Sequence, residues 1–102
     1  LGMSDVVRYV TDRILKSDVN EFEKINASFI LIDSLLEDSL FHQVLLEIDK
    51  VLNFSVLNSK EIVAFLQLKL VAAKKLNLEN LIKKTDIEIK KIKNEIAREK
   101  LV

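Results

Sequence analysis

Few residues in this 102-residue chain are of a type that does chemistry, and their spacing adds little. His42 is the single histidine and cysteine is absent. A zinc site gathers three or four ligands from His, Cys and carboxylates. The carboxylates nearest to His42 on its N-terminal side are Glu37 and Asp38, and no loop arranges them around the imidazole. His42 therefore reads as a surface residue near a helix start, with no metal site expected. The lack of cysteine also excludes disulfides and thiol nucleophiles. Glycine-rich loops hold phosphates because the backbone can approach them closely. The only glycine is Gly2, ahead of the first predicted helix, so no nucleotide cofactor, or any other cofactor, is expected. Asp and Glu are abundant, but they fall at the period of solvated helix faces, and no enzyme is predicted. Asn26 and Asp33, seven residues apart, share one helix face beside an apolar stripe. They read as boundary residues half in water, with a polar anchor for a partner peptide as the functional alternative.

What must position these residues is a set of helices. Proline is absent, and glycine is confined to position 2. Strand-rich folds lean on glycine for turns with positive φ. A chain without either residue is predicted to be all-α, with turns built from Asn, Asp and Ser. Its apolar fraction of 49% suffices for one domain with a core of its own. The stretch Ile62 to Ala73, IVAFLQLKLVAA, is apolar at every helical angle and is predicted to be a central helix surrounded by others. It is too short to cross a bilayer, which takes about 20 apolar residues.

Taken in order, helix one is expected from Ser4 to Leu15. Val7, Val10 and Ile14 would face inward, flanked by Val6 and Tyr9. Helix two is expected from Val19 to Leu36, opened by Asp18 and Glu21 as a capping pair. Phe22, Ile25, Phe29, Ile32 and Leu36 recur on its inner face. Ser39 is placed to cap helix three, from Leu40 to Leu52, which turns Phe41, Val44, Leu45, Ile48, Val51 and Leu52 inward. Asn53 to Asn58 is a connector whose Phe54, Val56 and Leu57 plug the core. Asn58 and Glu61 form a second capping pair for helix four. Asn77 either stops that helix or is passed over in one continuous helix. Helix five runs from Leu78 to Ala97 or beyond.

Within helix five, Leu78, Ile82, Thr85, Ile89, Ile92, Ile96 and Glu99 alternate by four and three. That is a heptad seam near the minimum length of a coiled coil. It either folds back on the domain or pairs with another chain. The architecture expected is a single compact bundle of four to five helices with a long C-terminal helix: residues 4–76 form the bundle, and residues 77–102 form a charged amphipathic helix packed on it or on a partner. Leu1-Gly2 ahead of Met3 reads as a tag remnant, and no signal-peptide pattern is present.

Net charge is zero, which implies no gross attraction to nucleic acid or membrane. The charge is unevenly divided. From Lys74 onward nine basic residues face five acidic ones, leaving +4 there and −4 before it. This basic tail lacks aromatics for base stacking and mixes acids with its bases. It reads as a solvated face before a phosphate-binding one.

Two stretches carry a family resemblance: DVNEFEKINASFILIDSLL, and VLLEIDKVLNFSVLNSKEIVAFLQLKLVAAKKL. Asp18-Val19-Asn20 opens the second helix, Ile48 to Leu52 forms an apolar-rich helix end before a short turn, and Ser59-Lys60-Glu61-Ile62 starts a capped helix. This pattern resembles the helical domain at the N-terminus of transcription elongation factor TFIIS and the related integrase-binding domain of LEDGF. It covers roughly residues 4–76 and leaves the tail outside. The resemblance implies a nuclear, non-catalytic docking domain for short motifs, usually an acidic stretch with a Phe anchor, in transcription and chromatin factors. By position it places the contact at Lys16 to Val19 and Asn53 to Val56, with Phe54 at the rim.

The expected function is thus a non-enzymatic protein–protein interaction module or scaffold that docks a partner helix or peptide. Its expected contacts are Lys16, Val19, Phe54 and Val56, and the seam residues Ile82, Ile89, Ile92 and Ile96. One alternative is a subunit that forms homo- or hetero-oligomers through the isoleucine seam. A second is a small helical nucleic-acid-binding domain using the basic tail. No membrane partner is expected, and the location expected is intracellular.

Overall fold

The computed structural model describes residues 3–17 and 20–101, and the described residues form five α-helices and no strand. They are α1 (Met3–Lys16), α2 (Glu21–Glu37), α3 (Phe41–Val51), α4 (Ser59–Lys75) and α5 (Glu79–Leu101). Each helix packs on the next in sequence, α1 on α2, α2 on α3, α3 on α4 and α4 on α5. The outcome is a slab of 48 × 34 × 18 Å. Its radius of gyration, 14.6 Å, exceeds the value of about 13 Å for a rounded domain of this length. A slab leaves broad outer faces, and several large apolar side chains lie on them.

The helix ends show how turns are made without glycine. Asn58 caps α4 with a full capping box: its side chain accepts the Glu61 N–H at 2.8 Å, and the Glu61 carboxylate accepts the Asn58 N–H at 3.1 Å. Asn20 caps α2 by accepting the Glu23 N–H at 2.9 Å, so α2 starts two residues later than the spacing around Asp18 predicts. Asp18 and Val19 lie outside the described residues. Ser39 does not cap α3. It adopts φ 58° just past α2, where its N–H donates to Leu36 and the Leu40 N–H to Leu35. Asn77, at φ 57°, ends α4 in the same way, with the Leu78 N–H donating to Ala73. Both are Schellman ends, which satisfy the last helical carbonyls through one left-handed residue. Asn77 thus separates α4 from α5.

Two apolar clusters hold the slab. The larger joins α2, α3 and α4 through Ile25, Leu31, Ile32, Leu35, Val44, Ile48, Val51, Phe65 and Ala72. The Phe29 and Phe65 rings stack across α2 and α4, with centroids 4.0 Å apart and planes 12° apart. Phe54, Val56 and Leu57 pack against this cluster, as expected of the connector. The smaller cluster joins α4 to α5 through Val63, Leu66 and Ile89. Small polar residues let the helices approach closely. Thr11 and Ser28 are buried, and their hydroxyls donate to the carbonyls of Val7 and Lys24, both at 2.9 Å.

Three expectations of inward faces are corrected. Phe22, in the first turn of α2, is 63% exposed because the neighbouring helices cover the arc through Ile25, Ser28 and Leu35 and not its flank. Val6, Tyr9 and Val10 are exposed too, since α1 packs mainly on α2 and turns Val7, Thr11 and Leu15 toward the slab. Nor is α4 surrounded: its neighbours take two sides, and Gln67 and Val71 remain exposed.

Candidate functional site

Two of the residues expected to contact a partner, Lys16 and Phe54, line one recess of about 230 Å³. Lys16 arrives there as the last residue of α1, and Phe54 three residues after α3 ends. The floor is apolar, made of Leu15, the buried Val51 and the half-buried Phe54. Ser28 also lines it, with its hydroxyl already donated to the Lys24 carbonyl. The rim is charged but balanced. Lys16 Nζ lies 2.9 Å from Asp12 Oδ2, one turn back on α1, and Lys50 Nζ lies 3.1 Å from Glu47 Oε1 on α3. The hydrogen bond to Asp12, reinforced by its charge, holds the Lys16 ammonium above the usual lysine range. Both lysine side chains remain largely in water, so these pairs orient the rim and stabilise the fold little.

The connector that carries Phe54 is fixed from α2. The Glu21 carboxylate accepts the Ser55 N–H at 3.2 Å and the Ser55 hydroxyl at 3.1 Å. Phe54 itself donates its N–H to the Val51 carbonyl at 3.1 Å. The recess is thus built on two helix ends and a pinned turn.

No pair of lining side chains forms a nucleophile with a base, because the one hydroxyl serves the backbone and the carboxylates face lysines. A cavity of about 150 Å³ holds a benzene ring, so this recess matches the size of a single aromatic or aliphatic side chain. It falls below the range of about 300–1,000 Å³ usual for small-molecule sites. A larger hollow of about 480 Å³ sits at the α4–α5 turn, but it is lined by the consecutive residues Asn77 to Leu81. That is an open shelf beside a turn, where no distant elements converge.

The other expected contact residues fall elsewhere. Val56 packs on the larger cluster and does not line the recess. Val19 lies outside the described residues. The seam of α5 is laid on α4: Ile89 is buried, Ile92 and Ile96 pack beside Val63 and Leu66, and Ile82 is half-buried. The ridge packs on α4 with Ile82, Ile92 and Ile96 half-buried along it. His42 is exposed on the first turn of α3. Among the described residues no three of His, Cys, Asp and Glu come together as metal ligands would. No helix among them is long and apolar enough to cross a membrane.

Sequence reasoning missed Asp12, Leu15, Ser28, Glu47, Lys50 and Val51 as lining residues. Each looked like an ordinary face or helix-end position, and only the approach of the α1 end to the α3 end brings them together. Comparison with known proteins finds no matching family model, no matching curated protein and no matching solved structure.

Proposed function

We propose that this domain is a non-enzymatic docking module that receives a short partner peptide, one apolar side chain entering the recess between the ends of α1 and α3. The observation that carries this reading is the convergence of Lys16 and Phe54 on one apolar-floored recess sized for a single ring. Lys16 and Lys50 stand on its rim as cations that an acidic flank of the peptide would meet. These are the residue types that the resemblance to the TFIIS N-terminal domain and the LEDGF integrase-binding domain leads one to expect. On that resemblance the setting would be the nucleus, in transcription or chromatin.

The test is a binding titration followed by fluorescence anisotropy. The probe is a labelled peptide with one Phe between acidic residues. Saturable binding is expected, weakened about tenfold, or about 1.4 kcal/mol, when the peptide Phe becomes Ala. A comparable loss is expected for the double variant Lys16→Glu, Lys50→Glu, whose changes lie on the solvated rim and leave the core intact. No saturable binding, or binding indifferent to both changes, overturns the reading.

A further inference from the structure

The acids and bases of α5 mix along the sequence but separate in space. With the isoleucine seam laid on α4, the opposite face carries Lys84, Ile87, Lys91, Asn94 and Arg98 at spacing i, i+3, i+7, i+10 and i+14, all exposed. Such spacing forms one stripe along a helix. The helix acids lie on the flanks of this stripe, and one of them, Asp86, holds the neighbouring Lys90 at 2.9 Å. Second along it, between Lys84 and Lys91, stands Ile87, 66% exposed. An isolated aliphatic side chain ringed by cations is what a helix presents to an acidic surface with an apolar notch.

The same chain carries such a surface. On α2, Glu23, Asn26, Ile30, Asp33 and Glu37 follow the identical spacing, are all exposed, and include no base. Each stripe spans 14 residue steps, about 21 Å. Beside the α2 stripe lies a notch of about 260 Å³ formed by Ile14, Glu23, Asn26, Ala27 and Ile30. It can take an aliphatic side chain the size of Ile87. The chain is neutral overall, with +4 from Lys74 onward and −4 before it. A long polyanion would meet the second of these charges as well as the first, whereas a second copy meets a local surface of opposite sign.

We propose that the outer stripe of α5 docks on the outer stripe of α2 in a second copy of this chain, with Ile87 in the notch at Ile14, Ala27 and Ile30. Because the two surfaces differ, the contact is head-to-tail, and a pair keeps one free acidic face on one copy and one free basic face on the other. The inference stands apart from the peptide recess, since it uses none of that recess's residues.

The experiment is sedimentation equilibrium of the whole chain at about 0.01 M and about 1 M salt, between which the screening length falls from about 30 Å to about 3 Å. Concentration-dependent association is expected at low salt and its loss at high salt. Two charge-reversed variants are made, Lys84→Glu with Lys91→Glu, and Glu23→Lys with Glu37→Lys. Each is expected to stay monomeric alone, and the two are expected to associate when mixed at low salt. Ile87→Ser should weaken association of the natural chain about tenfold or more. All these positions are solvent-exposed, and helicity measured by circular dichroism should be unchanged. A monomer at every salt concentration overturns the proposal, and so does an oligomer that ignores the charge reversals. Binding of a DNA duplex at low salt without self-association also overturns it and assigns the basic stripe to a polyanion.

Discussion

The two apolar clusters are closed in different ways, and the difference sets what each part of the molecule can do. The larger cluster is enclosed by three helices and a connector, with an aromatic stack at its centre. The smaller is a two-helix seam between α4 and α5, with three buried apolar residues and one buried polar group. That group is Thr85, fully buried, whose hydroxyl has no hydrogen-bond partner in the structure. A core shared by several helices fixes the positions of their ends, and the recess lies where one of those ends, that of α3, meets the end of α1, whose Leu15 packs on the same cluster. A seam between two helices fixes only their spacing and leaves the far side of α5 open.

Phe65→Ala removes a fully buried ring and its stacking partner's contact, and is expected to cost about 3–5 kcal/mol in urea unfolding. It should lower hydrogen-exchange protection in α2, α3 and α4 together. Ile89→Ala empties the centre of the smaller cluster, at an expected cost of about 2–4 kcal/mol. Its protection loss should fall mainly on α5 and the facing side of α4, because the larger cluster is built without it. Equal loss of protection across all five helices in both variants would show that the clusters are one cooperative core.

Smaller changes sharpen the contrast. Asn58→Ala removes the capping box of α4 and is expected to cost about 1 kcal/mol. Thr85→Val keeps the shape of the side chain and deletes the unpaired hydroxyl, so it should stabilise by about 1 kcal/mol, seen as a higher urea midpoint. Ser39→Gly relieves the left-handed strain after α2, for a gain of about 1 kcal/mol or less. The same change at Asn77 should gain less, since asparagine tolerates that conformation better than serine.

The fold was readable because the signals that carry it are local. Absent proline and a single terminal glycine pointed to helices. The Asn58–Glu61 pair marked the start of α4, and the spacing of Phe41 to Leu52 marked the inner face of α3. In the sequence Asn77 is compatible with either a stop or a continuous helix, because a left-handed end shows itself only in backbone geometry. Phe22 and Val10 were misplaced for a related reason. Periodicity reports which residues share a face, but not whether a neighbouring helix reaches far enough to cover it. The candidate site was legible only where a resemblance supplied positions, at Lys16 and Phe54. Leu15, Ser28 and Lys50 join them through tertiary approach, which no spacing in the chain encodes. The segregation of charge on α5 needed the orientation of its seam before it could be seen.

The docking proposed here puts an apolar anchor of the partner into the recess between the α1 and α3 ends. Its most direct test is an NMR titration of the isotope-labelled domain with a Phe-centred acidic peptide. Saturable shifts are expected at Leu15, Ser28, Val51 and Phe54, with the outer stripe of α5 unmoved. Shifts confined to α5, or none around Phe54 at saturating peptide, would exclude docking in this recess.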